Sequence, residues 1–320
     1  MLKKSLYKSI AILLICSSIN AQDNELYQNL QDISVTVKAG FSEGSGVIIT
    51  RDIRVAPNKI EKISFVWTAG HVVEGLRSIR TIIRDGQQKK IVEFKDAQIV
   101  KEFTQDGRRV GELKMDCKII KYSDAEDGED LALLMIRQKR FINKSAVFYL
   151  PEGNEPVSIG TELYHVGSLL GQTGSNSMTR GIMSQVGRVL NLGTGDGVVF
   201  DQTTVTAFPG SSGGGVFLSE QSKDHAGKYV GMLVRGAGET FNLIVPVRRM
   251  RKWAEEEGIL WAIDGNVEMP TLNDIMKLPV EGNISTTKPD KEKKSSGDAA
   301  KFPTLIQIEK EKAIIPILKD

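Results

Sequence analysis

Between residues 33 and 247 the chain is a succession of short runs rich in valine, isoleucine, threonine and phenylalanine. They are ISVTVKAG, GSGVIIT, KISFVWTAG, IRTIIRDG, KKIVEFKDAQIV, LALLMI, GVVFDQTTVT, YVGMLVRG and FNLIVPV, punctuated by Gly, Asp and Asn. Runs of this length and composition, bounded by turn formers, read as strands. Their spacing leaves little room for helices between them, which favours antiparallel barrels or sandwiches over alternating βα units. One stretch breaks the habit: in VRRMRKWAEEEGILWAI, the residues Val247, Met250, Trp253 and Ala254 recur at helical spacing and Gly258 offers a stop. The pattern predicts an all-β protein closed by one helix over about 247–258.

The 320 residues, 40% hydrophobic and 26% charged, suffice for one large or two small cores. The opening MLKKSLYKSIAILLICSSINAQ places lysines before an apolar stretch from Ile10 to Ile15 and ends in small polar residues. This is the layout of a secretory signal peptide over residues 1–21, cut after Ala21. The apolar stretch is too short to span a bilayer. The expectation is an exported chain, periplasmic or secreted, without stable membrane insertion. Once Lys3, Lys4 and Lys8 leave with the leader, 39 basic residues face 40 acidic ones, and this balance gives no electrostatic reason to bind nucleic acid. Cys16 leaves too, so Cys117 has no partner for an intramolecular disulfide.

Residues 263–320 read as a low-complexity linker and tail. The stretch GNISTTKPDKEKKSSGDAAK, residues 282–301, is polar and aperiodic. The last segment, FPTLIQIEKEKAIIPILKD, is apolar enough to add a strand to an exposed sheet edge or to mediate self-association. The sequence contains no metal-spaced His/Cys cluster and no phosphate loop, so neither a metal nor an organic cofactor is expected.

The polar landmarks carry the chemistry. His71 sits in FVWTAGHVVEG just after an apolar strand, Asp130 opens DLALLMI, and Ser212 lies in TAFPGSSGGGVF. Serine is a poor nucleophile at neutral pH. It needs a base to accept its proton and a third group to hold that base in one tautomer. The chain offers a candidate for each role. Ser211 competes with Ser212 for the first; His165 reads as packing near the second half of the strands and His225 as exposed loop.

TAGH, DLALL and PGSSGG, in that order, resemble the signature blocks of the chymotrypsin-like (trypsin-fold) serine peptidases. The wording around them, including GSGVIIT, MTRGIMSQVGRV and FNLIVPV, is similar to the bacterial HtrA/Deg branch. The resemblance covers roughly residues 33–262. It implies two antiparallel six-stranded Greek-key barrels, about 31–145 and 146–247, within a protease domain over 22–262. It also implies a catalytic triad of His71, Asp130 and Ser212 in the cleft between the barrels, acting on a polypeptide substrate. The backbone N–H groups of Gly210 and Ser212 would form the oxyanion hole, where a glycine turn lets donors converge on the developing charge. The other class the sequence admits is a catalytically idle member of the fold that binds a partner or peptide through the same cleft.

Three departures from the family pattern matter. Ser211 replaces the aspartate that pairs with a freshly cut N-terminus in the digestive branch, Gly215 stands where proline is common, and the residues after Trp261 are too few and too polar for a PDZ module. By the resemblance, the pocket for the side chain before the cut bond has its base at Thr206 and its wall on the strand GMLVRGAG, with Arg235 on that wall, and is lined by Thr206, Ala207 and the backbone near Val234 and Gly236. No carboxylate stands at that base to pair with Lys or Arg, so small or medium aliphatic residues are expected there. Arg235, which would favour acidic residues if it turned inward, is expected to face the solvent or the outer substrate positions.

Overall fold

The computed structural model describes residues 25–281 apart from 85–86, 106–107, 192–196 and 237–239. The expected leader and the tail beyond Glu281 lie outside the described residues. A first helix, α1, runs over 25–32. Eight strands follow: β1 (Ser34–Ala39), β2 (Ser42–Ala56), β3 (Lys59–Thr68), β4 (Arg77–Arg84), β5 (Gln87–Phe94), β6 (Ala97–Gln105), β7 (Arg108–Ser123) and β8 (Leu131–Ile136). Between β3 and β4 lies the short helix α2 (Gly70–Val73).

Six of these strands close into a barrel in the order β1-β2-β3-β8-β7-β6, with β6 returning to pair with β1. The strands β4 and β5 stand apart as a two-stranded ribbon. A second closed barrel has the order β10-β11-β14-β13-β12-β9, built from β9 (Glu162–Leu169), β10 (Gly174–Asn191), β11 (Gly197–Thr203), β12 (Gly215–Leu218), β13 (Tyr229–Gly236) and β14 (Asn242–Pro246). The two six-stranded antiparallel barrels are those expected. Closure leaves neither barrel with an unpaired edge.

The barrel interiors are filled by the β-branched and aromatic residues of the runs, with Val47, Ile49, Phe65, Trp67 and Leu133 inaccessible in the first barrel and Phe200, Phe217 and Leu243 in the second. The closing helix α3 (Val247–Glu256) buries Val247, Met250, Trp253 and Ala254, the residues at helical spacing in the sequence. It leads the chain back to the first barrel. There Trp67 meets Trp253 edge-on with centroids 6.0 Å apart and donates its indole N–H to the Ala262 carbonyl at 3.1 Å. Helix α1 bridges the barrels: Leu30 is buried, the Gln31 carbonyl accepts from Lys101 Nζ at 3.1 Å, and Tyr27 packs edge-on against Tyr164 of β9.

The domain boundary expected at residue 262 moves outward. Helix α4 (Leu272–Lys277), whose cap Thr271 accepts from the Asp274 N–H, buries Ile275 against the first barrel. The Val280 carbonyl accepts from the Tyr122 N–H at 2.8 Å, and Glu281 clasps Arg77 through both its carboxylate oxygens. Six helical residues with one fully buried side chain make too short a pattern to register as periodicity. Among the described residues no helix is long and apolar enough to cross a membrane.

Candidate active site

The TAGH block ends strand β3 and turns straight into α2. Gly70 is fixed there by crowding, since a Cβ on it would lie 2.2 Å from the Ser123 carbonyl oxygen. The turn sets His71, 8% exposed, with Nδ1 3.0 Å from both carboxylate oxygens of Asp130. The His71 backbone N–H also donates to Asp130 Oδ1 at 3.0 Å. A ring nitrogen facing an ionised carboxylate carries the hydrogen, which leaves Nε2 as the basic lone pair.

Asp130 is buried, with a left-handed φ of 55°. The backbone there is held by the turn before β8: the Asp130 N–H donates to the Asp124 carbonyl, the Glu129 N–H to Ser123 Oγ, and the N–H groups of Glu126 and Asp127 to Asp124 Oδ1. Burial by itself would raise the Asp130 pKa. The attraction and hydrogen bonds of His71, with the field of Arg235, outweigh it and hold the carboxyl below the usual range. Asp130 is therefore an anion at neutral pH.

Ser212 lies on the turn before β12. Its carbonyl accepts from the Ser45 N–H at 2.7 Å, which ties the turn to the first barrel. Gly210 and Gly213 both have left-handed φ, +91° and +87°, and a Cβ on either would lie within 2.3 Å of a backbone oxygen, that of Ser168 or of Ser45. Only glycine meets both demands. The N–H groups of Ser211, Gly213 and Gly214 are engaged by the carbonyls of Phe208, Leu233 and Ser211. Those of Gly210 and Ser212 donate to no acceptor among the described residues, as an anion site requires. Ser211 Oγ accepts from the Phe208 N–H and braces the turn.

Ser212 Oγ and His71 Nε2 are both buried, and neither makes a hydrogen bond with any described atom. Gly44 lies between the two segments: a Cβ on it would touch Val72, next to His71, at 2.6 Å and the Ser212 carbonyl at 3.0 Å. Contacts between a nucleophile and its base are often loose before substrate arrives and tighten in the complex.

Two further residues hold this arrangement, and the sequence reading passed over the first of them. Ser45, from the GSGVIIT block, donates Oγ to the Gly210 carbonyl at 2.7 Å and accepts from the Ser168 N–H at 2.7 Å, while its own carbonyl accepts from Thr68 Oγ1. A serine between glycines on a barrel strand was the available signal. His165, on β9, is fully buried beneath the turn, with Nδ1 3.1 Å from the Gly215 carbonyl, and burial pushes its pKa down to about 4. It packs in the second barrel as expected. His225 is exposed, as expected, and meets Tyr149 edge-on.

Thr206 and Ala207 are half-buried, and the Thr206 carbonyl accepts from Thr179 Oγ1 at 2.9 Å. Val234 and Gly236 are buried in β13, which is hydrogen-bonded to the Ser212 turn through Leu233. Arg235 corrects its expectation. It is 6% exposed and turns inward, its Nη2 donating to the Ala125 carbonyl at 2.6 Å. The pairing of β13 with β14 shifts register between Leu233 and Arg235, and such a bulge re-aims the side chains beyond it. Asn242, buried on the neighbouring strand, donates to the Val205 carbonyl beside Thr206.

The family model described as "Trypsin-like peptidase domain" matches residues 44–232. The chain belongs to the trypsin-like peptidases. Within that family it is similar to a "Serine protease Do-like HtrA" from Lactobacillus helveticus, 22% identical over 238 residues. The match takes in 74% of this chain but only 44% of that relative's length. Among solved structures it is similar in fold to an inactive form of Rv3671c from M. tuberculosis, with TM-score 0.51, 14% identity, and 78% of this chain and 94% of that one covered. It is likewise similar to Deg5, with TM-score 0.50, 18% identity, and coverage of 77% and 97%. In this trypsin-like peptidase His71 and Asp130 belong to the first barrel's half of the chain, and the Ser212 turn, which leads into the second barrel, is tied to the first through the Ser45 N–H.

Proposed function

We propose that the chain is an exported serine endopeptidase that works through Ser212, His71 and Asp130. His71 Nε2 takes the hydroxyl proton as Ser212 Oγ attacks the scissile carbonyl carbon. The N–H groups of Gly210 and Ser212 receive the resulting oxyanion. The imidazolium, held against Asp130, returns the proton to the departing amine as the C–N bond breaks. Water then opens the acyl-enzyme by the same path and regenerates the serine. The observation that carries this reading is the pair of unengaged N–H groups at the glycine turn, supported by the His–Asp pair oriented through Nδ1. Thr206 and Ala207, with Val234 and Gly236, favour a small or medium aliphatic residue before the cut bond.

A second reading has one observation behind it. The unmade hydrogen bond between Ser212 Oγ and His71 Nε2 suits an idle fold that binds peptides without cutting them. A serine-directed phosphonate separates the two. In the endopeptidase reading it labels Ser212, and Ser212→Ala or His71→Ala removes turnover by a factor on the order of 10⁶, with a smaller loss for Asp130→Ala. Peptide binding without labelling or turnover establishes the idle reading, and labelling of Ser211 overturns the assignment of the nucleophile.

A further inference from the structure

Both edges of the β4–β5 ribbon are unpaired among the described residues. Its eight residue pairs, from Arg77↔Phe94 to Arg84↔Gln87, join only each other among the described residues. Ile79 and Ile83, on one face of β4, are 51% and 76% exposed. A lone two-stranded ribbon is marginal in water, and a third strand is the usual remedy.

The chain itself supplies a candidate. It leaves the described structure at Glu281, which is bonded to Arg77, the first residue of β4. The remaining residues therefore start at the base of the ribbon. Residues 282–303, polar for most of their length, lead into the apolar TLIQIEKEKAIIPILKD. In an extended conformation Ile306 and Ile308 fall on one face, as Ile79 and Ile83 do. The reach is suitable. A 22-residue flexible linker has a root-mean-square span of about 26 Å, and eight strand residues extend about 26 Å. A segment tethered on this scale meets its site at an effective concentration on the order of millimolar.

We infer that the chain's own C-terminal segment, beginning near Thr304, adds a third strand along the free edge of β4. The contact is independent of catalysis. It fastens the end of the chain to a ribbon that starts six residues after His71.

Amide hydrogen exchange at residue resolution on the full chain tests this, against an Ile306→Pro/Ile308→Pro variant. Proline cannot donate to a ladder, and both positions lie beyond the barrels, so folding is not at stake. The N–H groups of β4 that point away from β5 should exchange about tenfold or more slowly in the wild type than in the variant. Equal rates in the two proteins overturn the inference. Light scattering should find a monomer throughout; protection that grows with concentration alongside a dimer assigns the strand to a second copy and overturns the intramolecular docking.

Discussion

His165 should make this protein acid-sensitive in a defined window. Its ring is fully buried beneath the nucleophile turn, where a Cβ on Gly214 would lie 2.4 Å from its Cε1. Nδ1 faces the Gly215 carbonyl and so carries the hydrogen, while Nε2 is buried with no partner among the described atoms. A second proton would place a charge and an unsatisfied donor in that space. Burial accordingly lowers the pKa from 6.5 to about 4. Between those values the unfolded chain binds more protons than the folded one, so stability rises with pH there. The contribution is complete above pH 6.5, declines as pH falls towards 4 and is spent below it. At 1.36 kcal/mol per pKa unit it amounts to about 3 kcal/mol, or roughly 6–12 °C of midpoint for a domain of this size. His165→Gln keeps a donor for the Gly215 carbonyl but has no proton to gain. Thermal midpoints of both proteins from pH 7.5 to 4 provide the assay, and the gap between wild type and variant should narrow by that amount. A gap that stays constant across the window would refute the argument, because His165 would then titrate alike in both states.

Other expectations follow from the same geometry. Gly213→Ala introduces a side chain at φ +87° with its Cβ 2.2 Å from the Ser45 carbonyl; stability should fall by at least about 1–2 kcal/mol, and peptide hydrolysis should fall further because the neighbouring Ser212 N–H is displaced. Denaturant melts and initial rates measure the two effects. Arg235→Met should leave the preference at the cut site unchanged in a peptide-library digest, since the guanidinium faces Ala125, while lowering the overall rate by removing a cation beside Asp130; a new or lost preference for acidic residues would show that Arg235 reaches the pocket. Cutting the chain after Trp261 removes the buried Ile275 and the Arg77–Glu281 clasp and should cost about 1.5–3 kcal/mol for the isoleucine alone. Cutting after Glu281 should leave the barrel melting transition nearly in place, as calorimetry can determine.

The legible parts of this fold are those where burial imposes a pattern on the chain. LALLMI is buried at every position of β8, and such a run has few alternatives to a central strand. Strand β7 escaped notice because its first half, RRVGELKM, is solvated and alternates charge with small or apolar residues as a loop would. KKIVEFKDAQIV was read as one run and is two strands, β5 and β6, broken at Lys95–Asp96 where the Lys95 N–H turns to the Leu76 carbonyl. The candidate site stood out in the sequence for a different reason. Acyl transfer needs particular residue types at turns, so His71, Asp130 and the glycines around Ser212 stand out even among strands. The residues that support them do not. Ser45 acts through backbone groups 165 positions away in the chain, and no local pattern encodes a partner at that distance. Arg235 is the most instructive case. Alternation along β13 assigns each side chain a face, but one bulge reverses the assignment for every residue after it, and the bulge depends on how β14 pairs rather than on β13 itself. A specificity argument built on wall residues must therefore locate the bulge first. With it between Leu233 and Arg235, the one charged residue of that proposed wall is withdrawn towards Ala125, which is the arrangement the proposed aliphatic preference requires.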